Sequence, residues 1–226
     1  MGSNIEVLQK TKLFTGLSEQ EITSFIENTP VKYRKYKRGE VVITEGEKNS
    51  DIGIILSGQI VAERVSPNGE VTIASTVEAG GIIGEILSGS GFLSPVTVIA
   101  KEKTEILFIP FSSLVEPKGI FAAIQPTLIK NLILGISNKY FALEHRVSVM
   151  SAGTIRKKIM LYLCRYCRSS PGYYFTVPHS REQQAAYIGC DRTALSRELA
   201  AMKREGIIEL NKDSFKVNLK NNHCKI

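Results

Sequence analysis

The sequence predicts an α+β fold with three parts: a roll of short β-strands, a long helix, and a second domain of helices with a small sheet. Three observations predict this class. Short runs of β-branched residues broken by glycines fill most of the chain up to residue 110. A long proline-free stretch with a regular apolar stripe follows them. Helical and β-rich patterns then alternate, so we expect domains at 1–126, 127–152 and 153–226.

The first domain opens with a helical pattern over residues 5–28, where Ser18 and Glu21 have the spacing of a capping box. Short β-rich runs follow, and Asn68-Gly69 between two of them indicates a tight hairpin. Strands this short and evenly spaced are typical of a small barrel or roll. The predicted strands are Val41–Ile43, Ile52–Leu56, Gln59–Arg64, Val71–Thr76, Val96–Ala100 and Glu105–Pro110. We interpret the basic run at residues 32–38 as an exposed, solvated strand.

The long helix is predicted from Thr127 to Met150. Its apolar residues recur at intervals of three and four, which makes a continuous stripe along the helix. Such a stripe either packs on its own domain or pairs with a second copy. Because this helix joins two domains, we expect a homodimer interface, formed by Leu132, Ile136, Tyr140, Leu143, Val147 and Met150.

The second domain has the layout of a winged helix-turn-helix. A helix at Ile155–Arg168 and a short strand at Tyr173–Val177 precede two helices that meet near Gly189, the second capped by Asp191. The wing is a predicted hairpin, with strands at Ile207–Leu210 and Phe215–Leu219 and a turn at residues 211–213. Cys164 and Cys167 have C-x-x-C spacing, but no second pair follows, so we interpret them as core residues and predict no metal site.

Charge favours a nucleic-acid partner for the second domain. Residues 1–125 carry 12 Lys/Arg and 15 Asp/Glu, whereas residues 126–226 carry 17 and 7. In a helix-turn-helix, the start of the second helix meets base edges in the major groove. Arg192 and Arg197 can there contact guanine or phosphate, and Thr193 and Ser196 can contact a base edge or a thymine methyl.

The whole chain resembles the cyclic-AMP receptor protein/fumarate-nitrate reduction regulator (Crp/Fnr) family. The resemblance lies in Val42–Glu47, Leu56–Ile60, Ile83–Ile86 and Gly189–Arg197. It implies a cyclic-nucleotide-binding-like roll, a dimerisation helix, and a homodimeric transcription regulator that binds an inverted repeat of double-stranded DNA. RNA polymerase would be a further partner of an activator.

The resemblance also assigns roles to individual residues of the DNA-binding half. Arg192, Ser196 and Arg197 match base- or phosphate-contacting positions, and Arg181 matches a phosphate-contacting position on the preceding helix. Many members carry glutamate where this chain has Thr193. A related but altered half-site is therefore expected.

The effector half departs from the family. Gly84-Glu85 match the pair that holds the ribose of a cyclic nucleotide, but no Lys or Arg lies between Arg64 and Lys101 to pair with the phosphate. A buried phosphate without a charged partner is strongly disfavoured. Leu143-Glu144 replace the threonine and serine that meet adenine. Cyclic AMP is therefore not expected. The hypothesis is an unidentified uncharged or apolar effector, or none, in a pocket formed by Gly84, Glu85, Phe92, Leu93, Ser94 and Leu143.

Other function classes have less support. The front half contains no histidine, which argues against an enzyme or a haem protein built on the roll, and we predict no cofactor. The alternative is a small-molecule-sensing module of a signalling complex without a transcriptional role, which leaves the basic helix-turn-helix unexplained. No apolar run is long enough to span a membrane and no secretory signal begins the chain, so we expect a cytoplasmic protein.

Overall fold

Two antiparallel sheets of four strands form the roll of the first unit. The computed structural model describes residues 2–66, 68–116, 119–167, 174–211 and 214–218. Its chain divides into two units, Met1–Asn138 and Lys139–Ile226. The strands of the first unit are β1 (Lys32–Tyr36), β2 (Val41–Ile43), β3 (Asp51–Ser57), β4 (Gln59–Val65), β5 (Val71–Glu78), β6 (Ile82–Ile83), β7 (Thr97–Ala100) and β8 (Thr104–Pro110).

The strand orders are β1-β8-β3-β6 and β2-β7-β4-β5. The inward faces of both sheets share one apolar core, which includes Ile55, Ile60 and Ile106. The predicted hairpin joins β4 and β5: the Gly69 amide donates to the Ser66 carbonyl at 2.8 Å, and Gly69 has a φ of +83°. The predicted roll is confirmed, and β1 is exposed as expected.

Helices cover one side of the roll. They are α1 (Gly2–Lys10), α2 (Glu19–Glu27), α3 (Phe111–Val115) and the first part of α4 (Gln125–Ser151), with 3₁₀ turns at Lys12–Phe14 and Gly119–Ala123. The predicted capping box is present: the Ser18 amide donates to Glu21 at 2.7 Å, and the Glu21 amide donates to Ser18 Oγ at 3.3 Å. The helical pattern over residues 5–28 is therefore two helices, because this cap starts a new one.

Two of the residues predicted for the dimer interface belong to the core of the first unit. Leu132 is only 7% exposed in a core that also contains Phe25 and Leu128, and Ile136 packs against the same core. Asn131 fixes this part of α4, since its amide donates to the Leu13 and Thr15 carbonyls at 2.9 and 2.8 Å. The stripe thus packs on its own domain at its start, as the competing interpretation predicted.

The second unit packs three helices against a small sheet. The elements are α5 (Ile155–Cys167), β9 (Phe175–Thr176), α6 (Arg181–Ile188), α7 (Arg192–Arg204), β10 (Ile208–Asn211) and β11 (Ser214–Val217), and the sheet order is β10-β11-β9. Val149 of α4 joins their core, where Cys164 and Cys167 are also buried. Residues 168–173, 212–213 and 219 of the predicted helix, strands and wing turn lie outside the described residues.

None of the described helices combines the length and the apolar character that a membrane span needs.

Candidate nucleic-acid interface and effector region

The turn between α6 and α7 is fixed by local hydrogen bonds. Ser180 and Gln183 form a capping box at the start of α6. At its end, Gly189 adopts the left-handed conformation (φ 70°, ψ 51°), and the Cys190 amide donates to the Ala185 carbonyl at 3.0 Å. Glycine suits this position because a side chain disfavours that conformation. The chain therefore leaves α6 in a defined direction, and α7 starts at Arg192, three residues after Gly189.

The predicted cap of α7 is present. The Asp191 carboxylate accepts from the Thr193 and Ala194 amides at 2.7 and 3.2 Å. The hydrogen bond from the Ala194 amide, followed by the one from the Thr193 amide, lowers the pKa of Asp191 below its ordinary range. The carboxylate is therefore charged at neutral pH and favours the start of the helix, where amide dipoles converge.

The two faces of α7 have different roles. Leu195, Leu199 and Met202 are buried in the core of the unit. The opposite face is exposed, and it carries all four side chains predicted on this helix to contact DNA: Arg192, Thr193, Ser196 and Arg197. Within the described part of the chain, no hydrogen bond or ion pair joins either arginine guanidinium to another side chain. Two charged forks with small polar side chains between them are thus available to a ligand.

The same face extends further than the sequence prediction. Ala200 and Arg204 are exposed on the turns that follow Ser196 and Arg197. Helical periodicity could have identified both, because they lie three to seven residues beyond the predicted positions. Ala200 has a small side chain, which leaves room for a ligand to approach the α7 backbone closely at this position.

Arg156 of α5 holds α7 in place, a contact that the sequence analysis missed. Its guanidinium pairs with Glu198 at 2.5 Å and with both carboxylate oxygens of Glu205 at 2.5 and 2.8 Å. The hydrogen bonds to Glu205, followed by the one to Glu198, raise the pKa of Arg156. The same pairing with Arg156 lowers the pKa of Glu205. No local pattern signals the contact, because the partners are 42 and 49 residues apart.

Arg181 lies against the wing rather than projecting freely. Its guanidinium lies over the Phe215 ring of β11, 5.0 Å from the centroid, and donates to Gln184 Oε1. Gln184 is itself buried and donates to the His179 carbonyl at 2.7 Å. Phe215 and Gln184 thus hold the Arg181 side chain in one orientation. The contact of Arg181 with a phosphate stays a prediction.

Cys190 lies in the turn itself. Burial is the main cause that raises the pKa of its thiol, so the thiol is protonated at neutral pH. A reactive cysteine needs the opposite shift.

The effector residues of the roll divide into a buried and an exposed group. Glu85 and Ser94 are buried, and the Ser94 hydroxyl already donates to the Val96 carbonyl at 2.7 Å. Gly84 has a φ of +79° and packs so tightly that an added Cβ would lie 2.4 Å from Asn49 Nδ2. By contrast, Phe92 and Leu93 are 73% and 55% exposed. Leu143, the sixth predicted residue, belongs to the second unit.

Exposed apolar side chains continue along α4 beyond its buried start. Four of the predicted interface residues are exposed: Tyr140, Leu143, Val147 and Met150. Three apolar side chains that were not among the predicted interface residues share this exposure: Ile133, Leu134 and Phe141. A helix surface of this kind is unusual on an isolated chain in water.

Known protein families match both halves of the chain. A family model described as a cyclic nucleotide-binding domain matches residues 33–116, and one described as a Crp-like helix-turn-helix domain matches residues 157–221. The Cyclic AMP receptor protein of Thermus thermophilus is 22% identical over 213 residues, which cover 93% of this chain and 94% of that protein.

Two further relatives agree with this match. The transcriptional activator protein FnrA of Stutzerimonas stutzeri is 25% identical over 182 residues, 78% of this chain and 72% of that protein. A solved structure of CprK complexed with OCPA shares the fold, with a TM-score of 0.63 at 20% identity, and covers 88% of this chain and 91% of that one.

Proposed function

Since the chain belongs to the Crp/Fnr family of DNA-binding transcription regulators, we propose that it acts as a homodimer that reads an inverted DNA repeat through α7. The observation that carries this proposal is the exposed face of α7, where no hydrogen bond or ion pair among the described residues engages the guanidinium of Arg192 or Arg197. Two features support a fixed position of α7 for this contact: the hydrogen bonds of the Asp191 cap, and the ion pair of Arg156 with Glu205.

Each side chain on this face has a distinct proposed task. Arg192, in the first turn, presents two parallel donors to guanine O6 and N7. Arg197, more than one turn further along, reaches the next base or a phosphate. Thr193 and Ser196 contact a base edge or a thymine methyl, and Arg181 contacts a backbone phosphate. Threonine is shorter than glutamate and carries no charge, so it does not offer cytosine the carboxylate acceptor that glutamate does. The half-site therefore differs from that of members with glutamate at this position.

The exposed apolar residues of α4 support the dimer. Two copies that pair these helices would remove Tyr140, Leu143 and Val147 from water, which is favourable in proportion to the apolar area buried. A two-fold pair of α7 helices would then lie about one helical turn of DNA, roughly 34 Å, apart. That spacing matches an inverted repeat.

The proposed effector is not cyclic AMP. The segment from Val65 to Ala100 offers no Lys, Arg or His to a phosphate, and the Ser94 hydroxyl is already bonded to the backbone. Exposed Phe92 and Leu93 favour an apolar or uncharged molecule, which would bury them. The alternative, a sensing module without a transcriptional role, would leave the free face of α7 without a purpose.

The test is fluorescence anisotropy of the full chain on a pool of inverted-repeat duplexes, with Arg192→Ala and Arg197→Ala beside the wild type. Each substitution removes one charged fork, so specific affinity should fall by about 5- to 150-fold. Arg64→Ala is the matched control, because it removes one exposed arginine from the roll. Its affinity should equal that of the wild type.

Salt and effector additions complete the test. Specific binding should survive an increase in salt better than binding to random DNA, which is mostly electrostatic. Equal losses for all three arginine variants would contradict the proposed reading of bases. Cyclic AMP should change neither affinity nor thermal stability, and a clear shift in either would contradict the proposed effector class.

A further inference from the structure

The last turns of α4 contact the end of α6 through a group of polar and aromatic side chains that the sequence analysis did not identify. All of them belong to the second unit. His145 lies at the centre of this contact, half-buried between α5 and α6. The question is whether it only fills space or transmits the position of α4 to the helix-turn-helix.

Both ring nitrogens of His145 are hydrogen-bonded. Nε2 lies 3.1 Å from the Leu161 carbonyl oxygen of α5, and Nδ1 lies 3.0 Å from the Tyr187 hydroxyl of α6. A carbonyl can only accept, so Nε2 must carry the proton. In the neutral ring Nδ1 then accepts from the Tyr187 hydroxyl, and one side chain of α4 is fixed to two other helices at once.

Tyr187 receives further contacts from the same part of α4. The Arg146 guanidinium lies 5.8 Å from the centre of its ring, within the range of a cation–π contact. Two residues beyond Tyr187, the turn residue Gly189 lies beside Met150, since an added Cβ would be 3.7 Å from Met150 Cε. His145 and Arg146 therefore contact Tyr187 at the end of α6, and Met150 lies beside the turn that follows.

The contact also reaches the start of α6. The Tyr187 and Tyr162 ring centres are 5.2 Å apart, and the Tyr162 hydroxyl lies 2.9 Å from His179 Nδ1. The His179 carbonyl accepts from the buried Gln184 amide at 2.7 Å. Because His179 directly precedes the Ser180 cap, these rings connect both ends of α6 to α4.

We propose that His145 and Tyr187 are positioning residues for DNA recognition: their hydrogen bond transmits the position of the α4 end to the helix-turn-helix, beside the covalent link at residues 152–154. A displacement of α4 then moves α6 directly. The turn at Gly189 and the cap of α7 follow, since both are fixed to the end of α6. The inference rests on the proposed reading of DNA by α7, and neither residue touches DNA in it.

The experiment is a double-mutant cycle on the full chain with His145→Ala, Tyr187→Phe and both together. Affinity is measured by anisotropy for the selected repeat and for random DNA. Each single variant should lose about 5- to 20-fold in affinity for the repeat, in the range of measured coupling between sites. Random-DNA affinity should stay unchanged, because the basic surface is intact. The double variant should be no weaker than His145→Ala alone, because that substitution already removes the hydrogen bond to Tyr187.

Two further readouts separate positioning from loss of structure. Nitrogen-15 NMR of the histidine rings should report a protonated Nε2 and a bare Nδ1 for His145, and Tyr187→Phe should move the Nδ1 signal alone. Where His145→Ala unfolds the domain, His145→Gln, which can still donate to the Leu161 carbonyl, takes its place in the cycle. Tyr174→Phe is the matched control, since it removes a hydroxyl that donates to Glu209 and is remote from α4 in sequence.

The outcomes distinguish the inference from the function on which it rests. A wild type that binds no repeat contradicts the proposed function. A wild type that binds the repeat, with variants that bind equally well, overturns the positioning role alone. Additive losses in the cycle, or equal losses on random DNA, overturn it as well.

Discussion

His179 is a residue whose protonation should affect the stability of the second unit. Burial, with the nearby Arg165 charge as a second cause, lowers the pKa of His179 below its ordinary value of 6.5. The folded state therefore binds its proton less readily than the unfolded state. The stability that this gives is present above pH 6.5 and is lost as the pH falls through the lowered pKa.

Urea unfolding between about pH 7.5 and pH 5 measures this effect. The wild type should lose stability as the pH falls. His179→Asn keeps an acceptor for the Tyr162 hydroxyl but cannot titrate, so its stability should fall less over the same range. Parallel curves for the two proteins would exclude His179 as the source.

At this scale the sequence predicted the faces of helices but not the contacts between them. A cap at Asp191 and a regular apolar spacing were enough to place Arg192 and Arg197 on the exposed side of α7. Arg156 with Glu205, and His145 with Tyr187, join residues 49 and 42 positions apart. Such pairs depend on how helices pack, which no local pattern determines.

The turn at Gly189 is the element on which the placement of α7 depends. Gly189→Ala should lower the free energy of unfolding by about 1 kcal/mol, because an L-residue is disfavoured in the left-handed region. The added methyl meets only an ordinary contact with Met150, so the backbone accounts for the loss.

Gly153→Ala is the matched control, since that glycine has an ordinary φ and open space around it. Replacing it should be neutral or slightly stabilising, because alanine restricts the unfolded chain. Thermal unfolding followed by circular dichroism compares the two. Equal changes would show that the left-handed turn does not limit stability.

The long helix and most strands of the roll were predicted closely, and β2 matches the predicted Val41–Ile43 residue for residue. The predicted helix from Thr127 to Met150 is α4, which extends by only two residues at its start and one at its end. The single helical pattern over residues 5–28 proved to be two helices. The short α3 and β6 contain too few residues to show a period, so only tertiary packing identifies them.

For the whole molecule, the residues available for a dimer interface on α4 begin later in the helix than the sequence predicted. Leu132 and Ile136 are committed to the first unit, while Tyr140, Leu143 and Val147 are exposed. The sequence showed a continuous stripe but could not show where α4 leaves the core of one unit. The homodimer itself stays a prediction.

Val147→Lys tests that prediction. A lysine within the paired helices would bring two like charges together in an apolar seam, so the dimer should dissociate at concentrations where the wild type is paired. Light scattering after size exclusion measures the mass. Affinity for the inverted repeat should fall with the loss of the dimer.

Asn138→Lys is the control for that experiment, because it adds the same charge to an exposed polar position of the same helix. It should leave the mass unchanged. A Val147→Lys protein that keeps the dimer mass would contradict an interface at this part of α4, and a wild type of monomer mass would contradict the dimer altogether.

The exposed stripe of α4 has a consequence for dosage. If two chains must meet before one operator is read, then at low abundance the number of competent pairs grows with the square of the number of chains. A twofold rise in synthesis would then give about a fourfold rise in pairs. The apolar side chains that α4 exposes to water in the single chain would thus make dimer formation, and with it operator binding, rise more steeply than the amount of protein.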